Sequence, residues 1–484
     1  MVFSSVIFLC IFLPVVLLGY HILPEKVRGI WLLVASLGFY ACGGPKYLIY
    51  LIVSIVFNYL AGIVIASLRE RSKRKIALIA AVLVNIGSLI YFKYTGFFVE
   101  TYNMLFGKDT IIPKIVLPLG ISFYTFQCLS YVIDVYRDVN DGCPKKICTK
   151  DPVKFALYIS MFPQLLQGPI IRFSEVKDAL DHPSVKIDGF VNGIERFIVG
   201  LAKKAIIANT IGEVCDKIFE MDTTGMSTSV AWLGAVLFTL QIYFDFAGYT
   251  DMAVGLGKMF GFDFAENFNY PYISKSVTEF WRRWHITLGS WFRDYLYIPL
   301  GGNRRGNVYV NLLIVFLATG LWHGAAWGFV VWGLWHGLFM LIERALKGRK
   351  SPIAVPKVVS DILKWGYTIL AVSLGWVMFK IEDIEQALAY IKVMFHLEHH
   401  TYNAFSLGFF LDARLAFFLC IAVLACVPWA QVLPRFASTR IAQFTDSDKT
   451  VPRIARHACL IVLLVISFVF IVNTTYSPFI YFQF

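Results

Sequence analysis

A chain of 484 residues that is 58% hydrophobic and only 16% charged carries more apolar side chain than soluble cores of ordinary size can bury, so much of its solvent must be lipid. Its formal charge of +12 sits in short basic clusters between apolar runs, the mark of cytoplasmic loops, which excludes a nucleic-acid binder. Nine cysteines without a CxxC pair exclude a disulfide framework or zinc site and read as small buried hydrophobes.

The first apolar run, 2–23, is too long for a removable signal peptide and lacks its small-residue cleavage site. Further windows follow at 27–42, 47–68, 76–92, 115–135, 230–244, 308–321, 329–342, 362–379, 415–432 and 460–472, giving roughly eleven crossings of a hydrocarbon core about 30 Å thick. Arg69, Arg71, Lys73, Arg74 and Lys75 join the third and fourth windows and should stay in the cytoplasm, which places the N-terminus outside. Counting forward puts the stretch 137–154, with Lys145, Lys146, Lys150 and Lys154, inside as well. From 151 to 300 charged and aromatic residues alternate, and 190–210 is amphipathic, as for helices in the interface or lining a polar cavity.

These apolar blocks are solid, not alternating ten-residue segments, so the expected fold is an all-α polytopic membrane protein, not a barrel. No internal repeat is visible. The chain reads as one membrane domain over 1–484, with N-terminal helices at 1–137, a catalytic core at 151–346 and C-terminal helices at 347–484.

Candidate site residues appear in several places. Pro118 to Gln127, Phe162 to Pro169 and Tyr243 to Asp251 set Pro, Gly and polar groups, among them Gln127, Gln167, Asp245 and Asp251, where broken or re-entrant helices could line a cavity. Asp245 and Asp251 either orient a histidine or cap helix ends, and capping is the simpler reading of each. The run Glu279 to Tyr295 combines Arg282, Arg283 and Arg293, which can fork onto phosphates, with Trp281 and Trp284, which offer faces to adenine or a pantetheine arm. Its plainer alternative is an interfacial anchor helix.

Gly320 to Gly328 places His323, with Trp322 and Trp327, between two apolar arms. Arg304 and Arg305 precede the first arm and Arg344, Lys347, Arg349 and Lys350 follow the second, so His323 falls near the hairpin's far turn, deep in the membrane. Imidazole takes and returns a proton near neutral pH, although a neutral core histidine is the competing reading. His336 echoes the motif in Gly333-Leu334-Trp335-His336-Gly337 and reads as secondary. His396, His399 and His400 read as a solvated loop face instead of a metal site.

Trp281-Arg282-Arg283-Trp284-His285, the run to Tyr297-Ile298-Pro299-Leu300-Gly301-Gly302, and Gly320-Leu321-Trp322-His323-Gly324 together resemble the membrane-bound O-acyltransferase family. The resemblance looks closest to the bacterial branch that contains alginate O-acetyltransferase, and it extends over essentially the whole chain. It implies a ring of helices around a central tunnel, with His323 as the membrane-embedded catalytic histidine and His285 as the second, cytoplasmic-side histidine. It further implies acetyl-CoA as donor, no metal or prosthetic group, and a bacterial inner-membrane location. An extracytoplasmic partner, an SGNH-hydrolase-like acetyltransferase, would complete transfer to a polysaccharide. Two rivals stand beside it: a flippase for a lipid-linked glycan, disfavoured by the absent repeat, and a long-chain lipid or protein acyltransferase. No Walker, GxSxG or HExxH motif is present.

Overall fold

A computed structural model describes residues 2–113, 115–348, 356–397, 405–429 and 450–474. Every regular element among them is helical, as expected where lipid offers the backbone no partner. Pro45–Ser67, Arg71–Phe106, Thr228–Met259, Trp327–Leu346, Lys357–Lys380 and Ile454–Asn473 are long and apolar enough to cross a membrane, and Phe8–Ile22, Val308–His323 and Ala413–Ala425 are shorter apolar helices. The window at 27–42 becomes the 17-residue Glu25–Ala41, and 115–135 becomes Ile121–Asn140, which carries Asp134, Arg137 and Asp138.

Two compact units partition the chain, the first comprising Met1–Phe197 with Tyr249–Glu266. Within it Asn58 and Asn85 exchange side-chain amide bonds of 3.0 and 2.7 Å, satisfying each other between two apolar helices. Tyr131 fills the space beside Gly62, where a Cβ would stand 2.6 Å from its ring. Arg74 donates to Asn140 Oδ1 at 2.7 Å and to the Arg69 carbonyl at 2.9 Å. The two basic loops expected to share one side therefore meet at the same end of this unit. The expected helix breaks occur at Gly120, with φ +71°, and at the four-residue helix Phe162–Leu165.

The break expected at 243–251 does not occur, because that segment lies inside the 32-residue helix Thr228–Met259. Gly248 serves packing instead, since a Cβ there would approach the Gly200 carbonyl to 2.8 Å. The cysteines also depart from expectation: Cys128, Cys215 and Cys426 are buried, but Cys10, Cys42, Cys143, Cys420 and Cys459 are exposed. Cys10, Cys420 and Cys459 lie on apolar helices, whose outer faces suit lipid as well as a protein core would.

The second unit comprises Ile198–Gly248 with Asn267–Phe484. Five of its helices carry the candidate site: α1 (Val277–Arg283), α2 (Ile286–Phe292), α3 (Val308–His323), α4 (Trp327–Leu346) and α5 (Lys357–Lys380). Asn307 caps α3 by accepting from the Tyr309 and Val310 amides. Helices α3 and α4 form the hairpin, and they touch backbone to backbone: a Cβ on Gly333 would run into the Phe316 carbonyl and stand 3.3 Å from Gly320 Cα. Gly366 on α5 has open space around it. Gly333→Ala is therefore expected to destabilise by about 1–3 kcal/mol through overpacking, and Gly366→Ala to stabilise by up to about 1 kcal/mol through helix propensity. Thermal unfolding in detergent would check both signs.

Candidate functional site

Seven residues make α1 too short to stand alone. Locally it is started by Ser276, whose Oγ accepts from the Glu279 amide at 2.9 Å, and it stops at Trp284. His285 follows with φ +45°, a left-handed conformation that histidine adopts more readily than most residues but that still flags a functional turn. The Asn267 side chain fixes this turn. Its Oδ1 accepts from the Thr287 amide at 3.1 Å and from Thr287 Oγ1 at 2.7 Å, and lies 3.3 Å from His285 Nδ1.

A backbone N–H can only donate, so the Asn267 atom facing it is the carbonyl oxygen. His285 Nδ1 then carries the ring proton, and Nε2 presents a bare lone pair. Nε2 has no hydrogen-bond partner among the described residues. His285 lies between α1 and α2, outside the spanning helices, and is 1% exposed. Burial pushes its pKa down to about 3, which keeps the ring neutral.

A cavity of about 1320 Å³ is lined by His285, Trp281, Arg282, Trp284, Arg293, Arg344 and Lys347, together with Thr319 and Glu343. Ion pairs mark its wall, among them Lys275 with Asp361 at 2.8 Å and Arg293 with Asp294 at 2.7 Å. No described ion pair involves Arg282, Arg344, Lys347 or Lys364, all four of which line the cavity; Lys364 lies close enough to Asp361 for its ammonium to attract that carboxylate, which leaves Arg282, Arg344 and Lys347 facing the cavity with uncommitted charge. Arg283 turns away, bonding Glu279 at 3.0 Å and the Asn269 carbonyl at 3.1 Å. Of the five residues expected to hold the donor, Trp281, Trp284, Arg282 and Arg293 line the cavity and Arg283 does not.

His323 ends α3, 5% exposed, with its ring edge-on to Trp322, Trp332 and Phe379 at 4.9, 5.0 and 5.3 Å between centroids. The cavity wall reaches Thr319, one helical turn earlier, but does not include His323. Trp322 touches both histidines, 5.9 Å from the His285 ring. His336 is fully buried against Trp281 and Trp332 at 5.0 and 5.3 Å, and neither ring nitrogen has a hydrogen-bond partner among the described residues. Room for it comes from Gly375, where a Cβ would stand 2.5 Å from Nε2.

Other candidates fall elsewhere. Asp245 forms a buried ion pair with Lys204 at 2.5 Å, whose ammonium burial pushes below its ordinary pKa while Asp245 opposes the shift. Asp251 meets Arg196 at 2.6 Å, and the same guanidinium reaches Glu266 at 2.5 Å. Both aspartates sit in mid-helix, so the capping reading fails and each carboxylate is committed to a cation. Gln127 and Gln167 are buried in the first unit, whereas the histidines belong to the second. Trp327, 44% exposed, starts α4 away from the cavity wall. His396 Nδ1 lies 3.4 Å from Thr228 Oγ1, and His399 and His400 lie outside the described residues.

Sequence reasoning missed Asn267, Trp332, Phe379 and Glu343. Only Glu343 left a signal: a single acid two helical turns after His336, on the same face of α4.

The model of the membrane-bound O-acyltransferase family matches residues 145–380. The chain is 38% identical to a probable alginate O-acetylase AlgI of Azotobacter vinelandii, with 100% of each chain covered. It is 44% identical to the protein of the same name in Pseudomonas aeruginosa, over 82% of this chain and 75% of that one. A peptidoglycan O-acetyltransferase of Helicobacter pylori is 37% identical, over 81% and 80% respectively.

Proposed function

We infer the activity from one premise: the chain belongs to the membrane-bound O-acyltransferase family, and it is a multi-pass membrane acyltransferase. We propose that it takes acetyl from cytoplasmic acetyl-CoA and passes it on for O-acetylation of an extracytoplasmic polysaccharide, alginate-like or a cell-wall glycan. The names of its relatives support that class of acceptor. An extracytoplasmic SGNH-hydrolase-like protein completes the transfer, and the N-terminus faces outward in the bacterial cytoplasmic membrane.

One observation carries the donor assignment: Arg282, Arg344 and Lys347 face the cavity with uncommitted charge, beside Trp281, Trp284 and a neutral His285. Coenzyme A brings phosphates for the cations and an adenine for the indoles. Its pantetheine amides supply N–H donors, one of which suits the lone pair at His285 Nε2. His323 acts as general base. It takes the proton of the acceptor hydroxyl as that oxygen attacks the thioester carbonyl, and returns it to sulfur as the C–S bond breaks. The flippase reading gives way to the family assignment.

Inverted vesicles carrying the protein and its partner, supplied with labelled acetyl-CoA, test the reading. Wild type should move label into the lumenal acceptor. Arg282→Ala should raise the KM for acetyl-CoA about tenfold, the worth of one charge-assisted hydrogen bond, with kcat little changed. A wild type that transfers nothing, or an unaltered KM in Arg282→Ala, would defeat the donor assignment.

A further inference from the structure

We propose that Glu343 is a positioning residue for acyl transfer: from α4 its carboxylate holds the N-terminus of α1, and thereby sets where Trp281 and Arg282 stand on the cavity wall. The proposal rests on the donor reading above for its choice of substrate. Its physical basis is an account of amide donors. The opening amides of a helix have no partner within it and must find one elsewhere.

In α1 the Glu279 amide goes to Ser276 Oγ at 2.9 Å and the Phe280 amide to the Ser276 carbonyl at 2.9 Å. The two that remain, Val277 and Thr278, both donate to Glu343, at 2.6 and 2.9 Å, and Thr278 Oγ1 donates to the same carboxylate at 2.5 Å. Tyr367 on α5 adds its hydroxyl at 3.4 Å. The carboxylate thus ties two adjacent amides of α1 to another helix, whereas a local cap would leave α1 unattached to α4.

At the other end of α1 the Trp281 ring packs on His336 of the same α4. This seven-residue helix is therefore fastened to α4 at both ends, by a carboxylate and by a ring. Loss of the carboxylate orphans two amides in a low-dielectric setting and frees α1 to shift or fray. Trp281 and Arg282 move with it, whereas His323 sits on α3. The expected signature is impaired donor binding with chemistry largely retained. A purely structural role would reduce the amount of folded enzyme and leave its KM unchanged.

The test compares Glu343→Ala, Glu343→Gln and Thr278→Val with wild type, reading initial rates against acetyl-CoA and hydrogen exchange across 277–283. Glu343→Ala should raise KM about tenfold with kcat within about threefold, and lose exchange protection in α1 while α3 keeps it. Glu343→Gln retains an acceptor oxygen and should recover most of the KM, and Thr278→Val should show a smaller rise. An unchanged KM in folded Glu343→Ala, equal defects in the Ala and Gln variants, or a loss confined to kcat would overturn the proposal. Should Glu343→Ala not fold, an unchanged KM together with unaltered exchange protection across 277–283 in Thr278→Val would overturn it equally. Wild type silent with acetyl-CoA would defeat the donor reading alone, since exchange protection of α1 still reports whether the carboxylate holds it.

Discussion

His323→Gln is expected to lower kcat for acetyl transfer by about 10²–10⁴-fold, the usual worth of a positioned general base, with the KM for acetyl-CoA changed only a few-fold. The split follows from geometry. The cavity that carries the uncommitted cations reaches Thr319 and stops short of His323, so the donor keeps its binding groups when the imidazole is lost. Glutamine is the informative replacement because His323 is packed among Trp322, Trp332 and Phe379. Alanine would open a hole there and mix a packing defect with a chemical one. Steady-state rates in vesicles, beside an unfolding temperature in detergent, separate the two. A folded His323→Gln with wild-type kcat would strip the residue of its proton-transfer role.

How much of this was legible in the sequence depended on whether a residue's partner lay nearby in the chain. His323 was visible because an ionisable group between glycine-flanked apolar arms is rare enough to notice, and the structure does place it at the end of the hairpin's first helix. The two basic loops agreed before any fold existed, and Arg74 on Asn140 brings them together. The turn at His285 was legible as a motif but not as chemistry. Its tautomer is decided by Asn267, which comes 18 residues earlier in a stretch with no periodic signal.

Helix lengths failed for an electrostatic reason. A hydropathy window ends Thr228–Met259 early because it meets Asp245 and Asp251 as charges in lipid, whereas the folded chain supplies Lys204 and Arg196 to pair with them. Glu343 stood out as a lone acid on its helix, but its partners could not be read, because its acceptor oxygens face the start of α1, more than sixty residues earlier in the chain.

Acidification is expected to weaken the protein through His285. The ring has an ordinary value of 6.5 and about 3 when folded. Between those limits the unfolded chain binds a proton that the folded chain refuses, so stability is complete above about pH 6.5 and falls as pH drops below it, by ~2 kcal/mol at pH 5. Unfolding temperatures of wild type and His285→Gln, followed from pH 7.5 to 5, isolate this contribution from the other histidines. The gap between the two proteins should narrow or reverse in favour of the variant as pH falls. His285→Leu, which has no acceptor, should lower kcat/KM by about 10–100-fold, from loss of the Nε2 acceptor in a buried setting, and the deficit should not change with pH above 5, because the ring stays neutral there. A deficit that disappears on acidification would mean that His285 titrates within the cavity and that its lone pair is not what the donor meets.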